Sequence, residues 1–238
     1  MRDVTQSLRD LVTANRILAH EKVVDGFGHV SLRHPERPDR FFLSRSRSPE
    51  LVELEDLMEY DLDCNPIDQH GRVMYVERPI HGAIYRACPE VQSVVHNHAY
   101  EVLPFSITKM KLRPVANFSG CIGRQIPIWD IRKKFGDTNM MVTTMQQGED
   151  LAKCVGKNRA ALLRGHGAVV TGGSLKEAVL VSIYLMVNAR IQSAAMAFGP
   201  ITFLSDGEIA EASAVSANSL GTDRVWEYWA RRCGMPSS

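Results

Sequence analysis

Residues 77–98, ERPIHGAIYRACPEVQSVVHNH, carry the pattern that sets the architecture. The spacing from Glu77 to Ala87 predicts a helix, and Pro89 follows just beyond it as a stop signal. Val91 to His96 then reads as a short apolar strand. A helix feeding a buried-type strand is one unit of a layered α/β fold. At the strand end, His96 and His98 are two apart. Alternate residues of a strand share a face, so both rings are expected to project the same way. Two imidazoles side by side make a ready pair of metal ligands, although such pairs also occur on plain surfaces.

The same alternation of elements extends outward. Downstream, residues 160–171, AALLRGHGAVVT, read as two apolar strands on either side of Arg164-Gly165-His166-Gly167. Glycines on both sides of His166 free the backbone to bend and leave the ring uncrowded. Ser174 and Glu177 have capping-box spacing and open a long helix over 174–197. Upstream, residues 5–22 read as an amphipathic helix. Strands are expected at 30–33 and 41–44, around the polar loop HPERPDR, and at 57–62. Between the histidine motifs, 99–108 and 149–157 read as helices, and 111–148, with Pro114 and Pro127, as strands and loops. The tail, about 204–238, is expected to be helical. Its Trp226, Tyr228 and Trp229 either pack or line a neighbour's pocket. The expected organisation is a single domain over 1–238.

Bulk properties narrow the function. The chain has 238 residues and a formal net charge of +1, which gives no basis for a nucleic-acid groove or binding to an anionic membrane. No apolar run is read as approaching the roughly 20 residues of a membrane-spanning helix. The five cysteines form no CxxC pair and are expected to be reduced thiols. With no signal-like segment in MRDVTQSLRDLV, a cytoplasmic location is expected.

Three histidines, His96, His98 and His166, could meet on one divalent ion and leave positions open for substrate. The spacing does not choose between zinc and manganese. Glu77 and His81, four apart on the expected helix, share a face. They are either an intrahelical pair on a solvated surface or a carboxylate and helper aimed at the metal pocket.

Together and in order, Gly28-His29-Val30-Ser31, the segment Leu43 to Pro49, Glu77 with His81, His96-Asn97-His98 and Arg164-Gly165-His166-Gly167 resemble the class II aldolase/adducin family. The resemblance covers about residues 8–200. It implies a three-layer α/β/α fold with a central mixed, largely antiparallel sheet. It also implies a divalent metal on His96, His98 and His166, manganese first and zinc as the alternative. Glu77 would be the acid/base residue, and the assembly a homotetramer with active sites at subunit interfaces.

The phosphate-binding positions of the family's sugar-phosphate aldolases are changed here. Gly28-His29 stands for Gly-Asn, Arg45-Ser46-Arg47 for Pro-Ser-Gly, and Tyr75-Val76 for Ser-Ser. Losing these small residues removes amide and hydroxyl donors for phosphate. The guanidiniums that replace them suit a carboxylate. The chain therefore resembles the decarboxylase branch. The implied substrate is a hydroxy-substituted aromatic or pyridine dicarboxylate, with 3-hydroxy-2-methylpyridine-4,5-dicarboxylate first and a dihydroxyphthalate as the alternative. Arg45 or Arg47 would hold the carboxylate that stays, His29 would suit the ring, Ser31 would contact the substrate, and His81 would assist Glu77. The competing readings are an aldolase for an unphosphorylated or carboxylated substrate and a non-catalytic adducin-like interaction module.

Overall fold

The structure is a computed structural model that describes residues 3–216 and 219–236. Seven strands form one sheet: β1 (His29–Arg33), β2 (Arg40–Ser44), β3 (Leu57–Asp61), β4 (Ser93–Asn97), β5 (Ile128–Trp129), β6 (Ala160–Leu163) and β7 (Gly167–Gly172). Their spatial order is β3-β2-β1-β4-β7-β6-β5. Every neighbouring pair is antiparallel except β5 with β6. The helices are α1 (Val4–His20), α2 (Pro79–Ala87), α3 (Leu103–Ile107), α4 (Arg132–Phe135), α5 (Met145–Val155), α6 (Leu175–Ala195), α7 (Asp206–Ser216) and α8 (Ser219–Arg232).

Strand alternation builds the three layers. Phe42, Val95, Leu162 and Val170 face one side and pack with Leu11 and Ile17 of α1, Val179 and Ile183 of α6, and Trp226 of α8. Phe41, Leu43, Val94, Leu163 and Val169 face the other side, against Ile80 and Ile84 of α2 and Leu151 of α5. A period of two along each strand thus feeds two separate apolar cores. This is the α/β/α arrangement, with a mixed and largely antiparallel sheet.

Several boundaries differ from the sequence reading, each for a local reason. Helix α2 begins at Pro79, because a proline fits the first helical position, so Glu77 lies in the preceding turn. Helix α5 starts at Met145, earlier than 149. Thr144 and Gln147 cap each other's backbone there. The segment 99–108 is a 3-10 turn, Tyr100–Val102, followed by the short α3. Within 111–148, β5 is the one described strand, and Asn117–Ile122 is a 3-10 segment.

The expectation that no segment is long and apolar enough to span a membrane is also corrected. Leu175–Phe198 passes by length and composition. Most of its first part, from Leu175 to Ala189, is buried in the core, which is the environment an apolar helix needs in a globular fold, whereas Ile191, Met196 and Phe198 near its end are exposed. His34 is buried, and its ring Nδ1 accepts from the Glu36 and Arg37 amides to close the β1–β2 turn.

Candidate metal centre

Three separate stretches deliver the histidines. His96 is the fourth residue of β4, and His98 follows just beyond that strand. His166 sits in the turn joining β6 to β7, where Gly165 adopts φ +65°. Glycine holds that left-handed conformation without Cβ strain. β4 and β7 pair side by side, so the two histidine motifs become neighbours across the ladder. His96 Nε2 lies 3.1 Å from His98 Nε2, and His166 Nε2 lies 3.2 Å from the same atom. Glu77 Oε2 is 3.5 Å from both His96 Nε2 and His166 Nε2.

The opposite nitrogens explain why these four groups can face one another. His96 Nδ1 is 3.2 Å from the Ala168 carbonyl oxygen, His98 Nδ1 3.1 Å from the Asp25 carboxylate, and His166 Nδ1 3.0 Å from the Met140 carbonyl oxygen. Carbonyl and carboxylate oxygens only accept, so each Nδ1 carries a proton and donates it. The Nε2 lone pairs are left converging on one point beside a carboxylate. Ligands about 2.1 Å from a divalent ion stand roughly 3 Å apart, which is the spacing seen here. Without a cation or extra protons such lone pairs repel. The donor set therefore fits a divalent metal.

Glu77 is shaped for the same point. Its Oε1 accepts from the Val142 amide at 2.8 Å, which turns Oε2 toward the histidines. Burial raises its pKa, but His96 and His166 outweigh burial and hold the carboxyl far below the ordinary range. His166 responds in kind: burial lowers its pKa, and Glu77 more than reverses that. His98 is lowered, by burial first and then by His96, with Asp25 opposing.

A cavity of about 630 Å³ opens over this cluster and is large enough for a small aromatic ligand. Glu77, His98, His166, His29 and Arg47 all line it. Tyr75 lines it too, with its ring centroid 4.5 Å from that of His29 and its hydroxyl donating to the Arg47 carbonyl oxygen.

Other expected site residues lie elsewhere. Arg45 does not line the cavity; its Nε pairs with Asp56 at 2.6 Å. Arg47 also pairs with Asp56, through one Nη at 2.6 Å, but keeps a place on the cavity wall. Ser31 is fully buried behind His29 and does not line the cavity, so the expected contact with the substrate is corrected. His81 shares no helical face with Glu77 and is buried behind His29, which separates it from the cluster. Burial, then His96, pushes its pKa down to about 3.

The sequence does not single out Asp25 or Tyr75 as site residues. Asp25-Gly26 reads as an ordinary turn, and only the fold brings that carboxylate to His98. The Tyr75-Val76 substitution within the family pattern was the one signal pointing to Tyr75.

Fold and site together define a layered α/β protein with a three-histidine, one-carboxylate centre suited to a divalent cation. Residues 9–193 match the class II aldolase and adducin N-terminal domain, and the chain belongs to that family. It is 36% identical to the decarboxylase tropJ of Talaromyces stipitatus, over 94% of this chain and 92% of that protein. It is 27% identical to the 3,4-dihydroxyphthalate decarboxylase of Arthrobacter keyseri, over 92% of this chain and 90% of the relative. Among solved structures, an aldolase II superfamily protein from Pseudomonas syringae superposes with a TM-score of 0.81. It is 22% identical and covers 98% of this chain and 94% of its own.

Proposed function

We propose that the chain is a metal-dependent carboxy-lyase acting on a hydroxy-substituted aromatic or pyridine dicarboxylate. The first candidate substrate is 3-hydroxy-2-methylpyridine-4,5-dicarboxylate, of vitamin B6 degradation, and the second is a dihydroxyphthalate. One observation carries this reading: Arg47 lines the same cavity as Glu77, His98 and His166. The decarboxylase relatives support it. The proposed ion is manganese, with zinc as the alternative, held by His96, His98 and His166. The proposed assembly is a homotetramer in which a second copy covers the cavity rim, where Phe27 is 74% and Tyr100 73% exposed.

When bound, the ion supplies Lewis-acid stabilisation of negative charge on the substrate oxygens. Glu77 handles the proton. Ionised at rest, it takes the ring-hydroxyl proton and delivers it to the ring carbon that bears the leaving carboxylate. That carbon becomes tetrahedral and aromaticity is lost. The bond to the carboxylate then breaks and carbon dioxide departs. The electron pair returns to the ring, and the ring oxygen regains a proton from solvent. Arg47, with N–H groups left beyond its contact to Asp56, orients the carboxylate that stays. Tyr75 offers a flat face to the ring, and His29 lines the wall beside it.

The test is carbon dioxide release from hydroxypyridine and hydroxybenzoate dicarboxylates with added manganese or zinc. Glu77→Gln is expected to lower kcat by about 10²–10⁴. Full activity in that variant removes Glu77 from its role, and aldehyde release in place of carbon dioxide would favour an aldolase.

A further inference from the structure

His29 opens β1 and stands opposite His96 in the β1–β4 ladder. Behind its ring a line of hydrogen bonds runs into the core. His29 Nδ1 is 2.7 Å from His81 Nε2, His81 Nδ1 is 2.6 Å from Ser31 Oγ, and Ser31 Oγ is 2.7 Å from the Tyr85 hydroxyl. All four residues are buried, and His29 alone lines the cavity. Arg33 lies 4.7 Å over the Tyr85 ring and helps fix it.

The direction of this line follows from counting protons. Among the described residues Ser31 Oγ is the one acceptor in hydrogen-bond reach of the Tyr85 hydroxyl, so the phenol's own proton goes there. Having accepted there, Ser31 spends its proton on His81 Nδ1. His81 must then be protonated on Nε2, and it donates that proton to His29 Nδ1. His29 is left with its proton on Nε2, the ring nitrogen that bonds to none of the described residues. The reverse order would strand the buried Tyr85 proton without an acceptor, which folded proteins avoid. It would also turn a lone pair toward the substrate.

We infer that His29 is a neutral hydrogen-bond donor to a substrate oxygen, locked in its Nε2–H tautomer by a buried relay from Tyr85 through Ser31 and His81. A donor at this position selects an anionic oxygen, either a carboxylate or an ionised ring hydroxyl. Ser31, His81 and Tyr85 are positioning residues that act through His29. The substrate part rests on the decarboxylase reading above, whereas the tautomer does not.

The tautomers are read directly by two-bond ¹H–¹⁵N correlation on the full-length, zinc-loaded protein carrying ¹⁵N-histidine. The chain has eight histidines, and His29→Gln and His81→Gln assign the two signals. The wild type is expected to show both rings protonated on Nε2. Tyr85→Phe removes the terminal donor, so mixed tautomers are expected at His29, with KM for a hydroxy-dicarboxylate raised roughly fivefold and kcat changed less. Ser31→Thr keeps a hydroxyl and should retain the wild-type spectrum, whereas Ser31→Ala should not. A wild-type His29 protonated on Nδ1 overturns the inference. So does a spectrum unchanged in both Tyr85→Phe and Ser31→Ala. A shifted tautomer with an unchanged KM overturns the substrate contact. Because the spectra need no turnover, failure of the dicarboxylate reading leaves the relay separately testable.

Discussion

A neutral imidazole offers a lone pair on one nitrogen only, so the group bonded to the other nitrogen decides what the ring can bind. At this centre Asp25 makes that choice for His98, as the Ala168 and Met140 carbonyls do for His96 and His166. Asp25→Asn removes the charge and can present an amide donor to a nitrogen that must itself donate. Metal affinity is expected to fall about 10–100-fold, measured by competition with a chelator of known strength. Unchanged affinity would show that His98 is held by packing alone.

At the scale of elements, the centre depends on how closely two hairpin-like pairs approach. Gly167 begins β7, and a Cβ there would lie 2.1 Å from the Asn97 carbonyl oxygen of β4. The obstruction is backbone, so it cannot rotate away. Gly167→Ala is expected to push β7 from β4, cost about 1–3 kcal/mol of stability and lower metal retention. Thermal melts and metal analysis of the same sample check both effects.

The loop between β2 and β3 makes a separate prediction through Asp56. Burial raises the pKa of that carboxyl, but the Glu53 amide, Arg45 and Arg47 hold it below the usual range. A folded pKa below the unfolded one gives stability that is fully present above about pH 4 and lost as pH falls through the folded value. Asp56→Asn is expected to lose about 1–3 kcal/mol at neutral pH and to show a shallower acid-induced decline than wild type. Urea denaturation at a series of pH values measures both. Parallel curves for the two proteins would remove Asp56 from this role.

Across the whole molecule, the C-terminal helix closes the core distant from the cavity. Trp226 and Trp229 are buried with α1 and α6, while Tyr228 remains exposed. Trp226 and Trp229 therefore pack within the chain itself. Trp226→Ala is expected to cost about 3–5 kcal/mol while leaving metal affinity unchanged. A denaturation midpoint equal to wild type would contradict that packing role.

The layered fold was legible in the sequence because its signals are local: apolar alternation at 160–171, the capping box at Ser174, the proline after Ala87. The three histidines were legible for a similar reason, since each sits at the end of such a strand. What the chain does with Arg45, Ser31 and His81 was not. Their neighbours, Asp56, Tyr85 and His29, come from distant stretches, and a side chain's hydrogen-bond partners are fixed only when the sheet is assembled. The same holds for Asp25, an ordinary turn residue until β4 brings His98 beside it. Periodicity and turn chemistry are written along the chain, whereas the placement of protons and charges depends on contacts between strands far apart in it.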